Sequence, residues 1–85
     1  MAGYSVRITR SAAKELGDLP IQDRRRVVTR IGALASDPRP LGAQKLSGDE
    51  KYRIRQGQLR ILYEIDDQEV VVTVVKIGHR RDVYR

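Results

Sequence analysis

Alternating apolar and polar residues open the chain: Tyr4-Ser5-Val6-Arg7-Ile8-Thr9 has the two-residue period of a half-buried strand. The period then lengthens. Ala12, Leu16 and Leu19 fall on one face of a first helix, with Thr9 or Ser11 as its N-cap. Gly17 weakens that helix near its end, and Pro20 suits the first turn of the next. Ile21, Val28, Ile31 and Ala35 form a second apolar stripe, widened by Val27 and Leu34, with Asp23, Arg24, Arg26 and Arg30 opposite. The two segments read as an antiparallel helix pair lying on a sheet.

Residues 36–50 are rich in turn formers and read as a loop, with Leu41 and Leu46 expected to pin it to the body. The last third is a strand meander. Lys51–Arg55 and Leu59–Ile65 alternate around Gln56-Gly57, and Asp66-Asp67-Gln68-Glu69 turns the chain into Val70–Ile77, apolar on both faces as a central strand would be. The order is strand, helix, helix, then three strands. It predicts one α+β domain over residues 1–85, a small antiparallel sheet with the helix pair on one face. The last strand then lies beside the first, and the other sheet face stays open.

The hairpin carries the main chemical signal. With Gln56-Gly57 as a two-residue loop, Arg53 pairs with Arg60 and Tyr52 with Ile61. One face is then Tyr52, Ile54, Leu59 and Ile61, and the other Lys51, Arg53, Arg55 and Arg60. Like charges across a strand pair are destabilising, which stability alone would not select. A multiply charged anion would justify them. The alternative is that the long side chains splay into solvent or pair with Glu64 and Asp82.

Composition narrows the setting. Eighty-five residues, 40% hydrophobic and with Tyr as the sole aromatic, allow one modest aliphatic core to which a bound partner would add stability. There is no Cys, so disulfides, thiolate metal sites and a Cys nucleophile are excluded, in keeping with a reducing cytoplasm. The N-terminus lacks the apolar run of a signal peptide, and no stretch reaches the roughly 20 apolar residues of a membrane span. The expectation is a cytoplasmic protein with no membrane partner. Net charge is +6, spread over both halves of the chain. Such a balance suits phosphate-bearing or acidic partners, or simply a solvated basic surface.

The tail, Gly78-His79-Arg80-Arg81-Asp82-Val83-Tyr84, adds groups able to bind phosphate or move protons. His79 is the only histidine, the side-chain type suited to proton transfer near neutrality, though a lone histidine is as readily structural or exposed. Tyr84 can equally cap the core.

Two stretches together resemble a known family. Tyr52–Ile65 resembles the central hairpin of the RelE/ParE toxin superfamily, and Gly78–Tyr84 its closing segment. The likeness extends over the chain in length and element order. It implies a RelE-type toxin of a type II toxin–antitoxin system: an endoribonuclease that cuts messenger RNA in the ribosomal decoding site and is neutralised by a cognate antitoxin. It also implies the site. Arg60, Arg80 and Tyr84 match the family's hairpin arginine, tail arginine and tail tyrosine, while Arg53 and Arg55 stand where that branch often has two lysines. Lys51, His79 and Arg81 would bind RNA beside them. A gyrase-directed branch shares the fold, and Arg80 together with Tyr84 favours the nuclease branch. A basic RNA-binding module without chemistry is the remaining alternative.

The chemistry implied is attack of the 2′-OH on the adjacent phosphate, which needs in-line geometry, stabilisation of the phosphorane and protonation of the leaving 5′-oxygen. Guanidinium forks suit the second need, and a tyrosine ring can stack on a splayed base. Arginines are poor general bases, so base catalysis falls to His79 or Tyr84, or the reaction rests on positioning and charge. No metal cluster is evident, and no metal or cofactor is expected. Without a recognition helix, operator DNA would be reached only through the antitoxin.

Overall fold

The computed structural model describes residues 3–46 and 50–79. Strand β1 (Ser5–Ile8) leads through helices α1 (Arg10–Gly17) and α2 (Ile21–Ala33) to strands β2 (Gln44–Lys45), β3 (Lys51–Gln56), β4 (Leu59–Asp66) and β5 (Val71–His79). Thr9 caps α1, its hydroxyl accepting from the Ala12 N–H at 3.2 Å. At the other end, the Arg24 guanidinium donates to the carbonyls of Gly17 (2.8 Å) and Leu19 (3.3 Å). A cation there satisfies orphan carbonyls and opposes the negative end of the helix dipole.

The α+β expectation holds, with one difference in the sheet. The strand order is β1-β5-β4-β3-β2. The β5 strand lies beside β1 as expected, but the two are parallel, so the sheet is mixed. The cause is β2, which runs antiparallel to β3 and adds one reversal of chain direction before the meander. A two-residue strand has no period to read.

The core lies between helices and sheet. Ala12, Val27, Ile31 and Leu34 face Ile54, Ile61, Tyr63, Ile65, Val72, Val74 and Ile77. The stripe on α2 is rotated from the expected one: Val27, Ile31 and Leu34 are buried, whereas Ile21 and Val28 remain 55% and 50% exposed. Arg24 lies on the same side of α2 as the buried Val27–Ile31–Leu34 line, and its bonds to the end of α1 accompany this roll. Residues 21 and 28 lie on the flank of the helix instead.

The loop after α2 is held by Arg39 and not by Leu41, which is fully exposed. Arg39 lies 5.2 Å above the Tyr52 ring and donates to the Tyr52 hydroxyl (3.0 Å) and to Asp67 (2.8 Å). Tyr4 donates to the same carboxylate at 2.7 Å. Beneath, the Tyr63 hydroxyl donates to the Pro38 carbonyl at 2.7 Å, and its ring stacks on Tyr52. No helix of the described residues is long and apolar enough to cross a membrane.

Candidate nucleic-acid interface

The β3–β4 hairpin turns at Gly57-Gln58, one residue later than expected. Gly57 has φ +61°. A positive φ at the first loop position suits glycine and matches the twist of the flanking strands. Gln56 therefore pairs with Leu59, Arg55 with Arg60, Arg53 with Leu62 and Lys51 with Glu64. The pairing has moved by two residues, so both faces keep their expected residues while the partners change. Arg55, not Arg53, stands opposite Arg60.

Tyr52, Ile54, Leu59, Ile61 and Tyr63 point into the core. The open face carries the charges, in rows across the strands. Arg55, Arg60 and Gly78 make one row; Arg53, Leu62 and Lys76 make the next; Lys51, Glu64 and Thr73 follow. Arg60 is 5% exposed, and among the described residues it is the one charged side chain that is buried. Its Nη1 donates to the Leu59 carbonyl at 3.4 Å. A guanidinium withdrawn from water beside another arginine makes a strong local field for an anion.

His79 does not join this row. It pairs with Leu59, whose side chain is buried on the helix side, and so sits at the end of β5 on the opposite face from Arg60. A bulge is responsible. Tyr63 pairs with Val74 but Leu62 with Lys76, leaving Val75 as an extra residue that inverts the alternation beyond it. Arg80, Arg81 and Tyr84 lie outside the described residues, as does Asp82. Two participants escaped the sequence pattern. Arg30 reaches from α2 to donate to the Arg55 carbonyl at 3.3 Å. Lys76 enters the open face only because of the bulge, and is engaged by Glu15 of α1 at 3.0 Å.

The far end of the same face is anionic. A cavity of about 890 Å³ is lined there by Glu50, Glu64, Asp66, Asp67 and Glu69, with Arg7 as the one cation. Lys45, by hydrogen bond and charge, holds the Glu50 carboxyl below its usual range. Arg39, and then Tyr4, do the same for Asp67. Such a surface disfavours a phosphodiester chain relative to the hairpin end of the sheet. Among the described residues no group of three acidic or histidine side chains is arranged to hold a metal. Burial pushes the Tyr63 hydroxyl up to about 12, and with its proton given to Pro38 it takes no part in the face.

Comparison with known proteins places the sequence and the fold. The model of the ParE toxin family, type II toxin–antitoxin system parDE, matches residues 6–84. The chain is 35% identical to Toxin RelG of Mycobacterium tuberculosis over 96% of its length and 97% of the relative's. The fold superposes on the toxin–antitoxin complex RelBE2 of M. tuberculosis with a TM-score of 0.81 and 31% identity, covering 94% of each chain. The isolated Escherichia coli RelE toxin gives 0.80 at 28% identity, over 95% of this chain and 90% of that one. The chain belongs to the RelE/ParE superfamily. Within it, the chain is a RelE-like toxin of the type II toxin–antitoxin class.

Proposed function

We propose that this toxin is a ribosome-dependent endoribonuclease that cleaves messenger RNA with the arginine row of its open sheet face. The Arg55–Arg60 pair carries the reading: two guanidiniums placed opposite each other across the strands, one of them buried. In the proposed reaction the 2′-oxygen forms a bond to the adjacent phosphorus, and the bond to the 5′-oxygen breaks. The proton lost from the 2′-OH is balanced by one gained at the 5′-oxygen, giving a 2′,3′-cyclic phosphate and a 5′-hydroxyl. Arg55 and Arg60 stabilise the phosphorane, Arg53 holds the flanking phosphate, and Lys51 the chain beyond it. By its family position Arg80 adds a further guanidinium, Arg81 a backbone contact, and Tyr84 a ring to stack on a base or a hydroxyl to move a proton. The ribosome supplies the in-line geometry that a shallow face cannot.

A cognate antitoxin is the second partner proposed, as the similar RelBE2 structure is a toxin–antitoxin complex. An acidic segment folding onto the arginine row and the exposed Ile21 and Val28 would neutralise the toxin, and operator DNA would be reached through it. The ParE description of the matching family supports one rival, a gyrase-directed toxin without nuclease chemistry. Pulse-labelling after toxin induction separates the two. Amino-acid incorporation failing first, without DNA damage, fits the nuclease; DNA damage with translation continuing selects the rival.

A further inference from the structure

We infer that Glu15, in the helix layer, is a positioning residue for the arginine row on the opposite side of the sheet. The inference rests on that row being the RNA-cleaving site. β1 pairs with β5 only from Val71 to Val74, the last contact being the Thr9 N–H on the Val74 carbonyl at 3.0 Å. From Val75 to His79 that edge of β5 has no strand neighbour among the described residues. Glu15 takes the strand's place. Its Oε1 accepts the Ile77 backbone N–H and its Oε2 accepts from Lys76 Nζ, both at 3.0 Å, across 62 and 61 residues of sequence.

The two residues it grips directly follow the bulge. Without the extra Val75, the pairing that sets Tyr63 against Val74 would run on to set Arg60 against Ile77 and Ile61 against Lys76. An apolar side chain would then stand in the arginine row, and a lysine would enter the core. With the bulge, Ile77 is 2% exposed in the core and Gly78 takes the place beside Arg60, leaving the row open to a phosphate. A one-residue slip is all that separates these arrangements. The Glu15 carboxylate ties down the bulged one by satisfying an edge N–H that none of the described strands reaches.

The test compares Glu15→Ala and Glu15→Gln with Thr9→Ala, which removes the N-cap hydroxyl of the same helix and keeps the backbone N–H that bonds the Val74 carbonyl. Amide exchange at Ile77 and the Gly78 amide resonance report the bulge, and ribosome-dependent cleavage is resolved into kcat and KM. In Glu15→Ala, Ile77 exchange should rise and kcat fall by about tenfold or more relative to Thr9→Ala, with KM nearly unchanged. Glu15→Gln, which keeps an acceptor for Ile77, should recover most of both. Ile77 still protected and Gly78 unmoved in Glu15→Ala would overturn the inference, and so would released Ile77 with cleavage equal to that of Thr9→Ala. If wild type itself cuts no messenger while Glu15→Ala still frees Ile77 and shifts Gly78, the anchoring stands and the nuclease reading falls.

Discussion

Arg55 and Arg60 face each other across the β3–β4 hairpin, and the second is buried. On the proposed function this pair serves an anion, so stability and activity should move in opposite directions when Arg55 is replaced. Arg55→Thr, a good strand former without charge, should raise unfolding stability by a few tenths of a kcal/mol, at most about 1. The same change should lower cleavage by about tenfold or more. Urea unfolding beside a cleavage assay reads both. A variant that is less stable and fully active would show that the pair is not held for an anion.

The face taken by His79 has a kinetic consequence. Because Val75 is an extra residue, His79 lies on the helix side of the sheet, beside Leu59. A histidine placed there does not exchange protons with RNA bound over Arg60. His79→Ala should therefore leave the pH–rate profile unchanged between about pH 6 and 8, the range in which an ordinary histidine titrates. Loss of a step in that window would put His79 at the reacting atoms.

Much of this arrangement was legible in the sequence, for definable reasons. The two faces of the hairpin follow from two-residue alternation, and a pairing shift of two residues leaves them intact. Which arginines meet depends on the conformation of Gly57, which pattern does not reveal. β2 is too short to show a period, and its extra reversal made β1 and β5 parallel. Continuing the alternation from Val72 and Val74 puts His79 on the open face; only the bulge at Val75 moves it. Glu15 and Ile77 are 62 residues apart and Arg39 and Asp67 are 28 apart, contacts that no local signal encodes. The Ile21–Val28 expectation failed because the line Val27, Ile31 and Leu34 packs on the sheet, with Arg24, which pattern assigns to the solvent side, bonded to the end of α1.

The Arg39 clasp makes stability depend on acid. Asp67 and Glu50 titrate below their ordinary values, chiefly through Arg39 and Lys45 respectively. A carboxylate with a depressed folded pKa contributes stability above its unfolded pKa, and loses it as pH falls through the folded one. Arg39 itself is pushed upward by Asp67 and stays charged throughout. Thermal unfolding should thus weaken below about pH 4, and Asp67→Asn should remove part of that dependence while lowering the midpoint slightly near neutrality. The groups are solvent-exposed, so the effect is modest and shrinks with added salt. An identical pH dependence in Asp67→Asn would mean that the clasp is not coupled to folding.

Two leucines near the end of α2 should differ sharply. Leu34 is 1% exposed within the core, whereas Leu41 is fully exposed. Leu34→Ala should cost about 2–5 kcal/mol, a large share of the stability of a domain this small. Leu41→Ala should stay within about 0.5 kcal/mol of wild type. Chemical denaturation of the pair checks the core boundary, and a large loss for Leu41→Ala would show that the loop is pinned differently.

The central claim is that the arginine row cuts RNA. A primer-extension map of a defined messenger on translating ribosomes tests it most directly, with wild type and Arg60→Ala compared under identical conditions. The account predicts new 5′ ends at the decoding site with wild type, absent when ribosomes are omitted and lost with Arg60→Ala. An uncut messenger from protein that still arrests growth, or cleavage undiminished in Arg60→Ala, would contradict it.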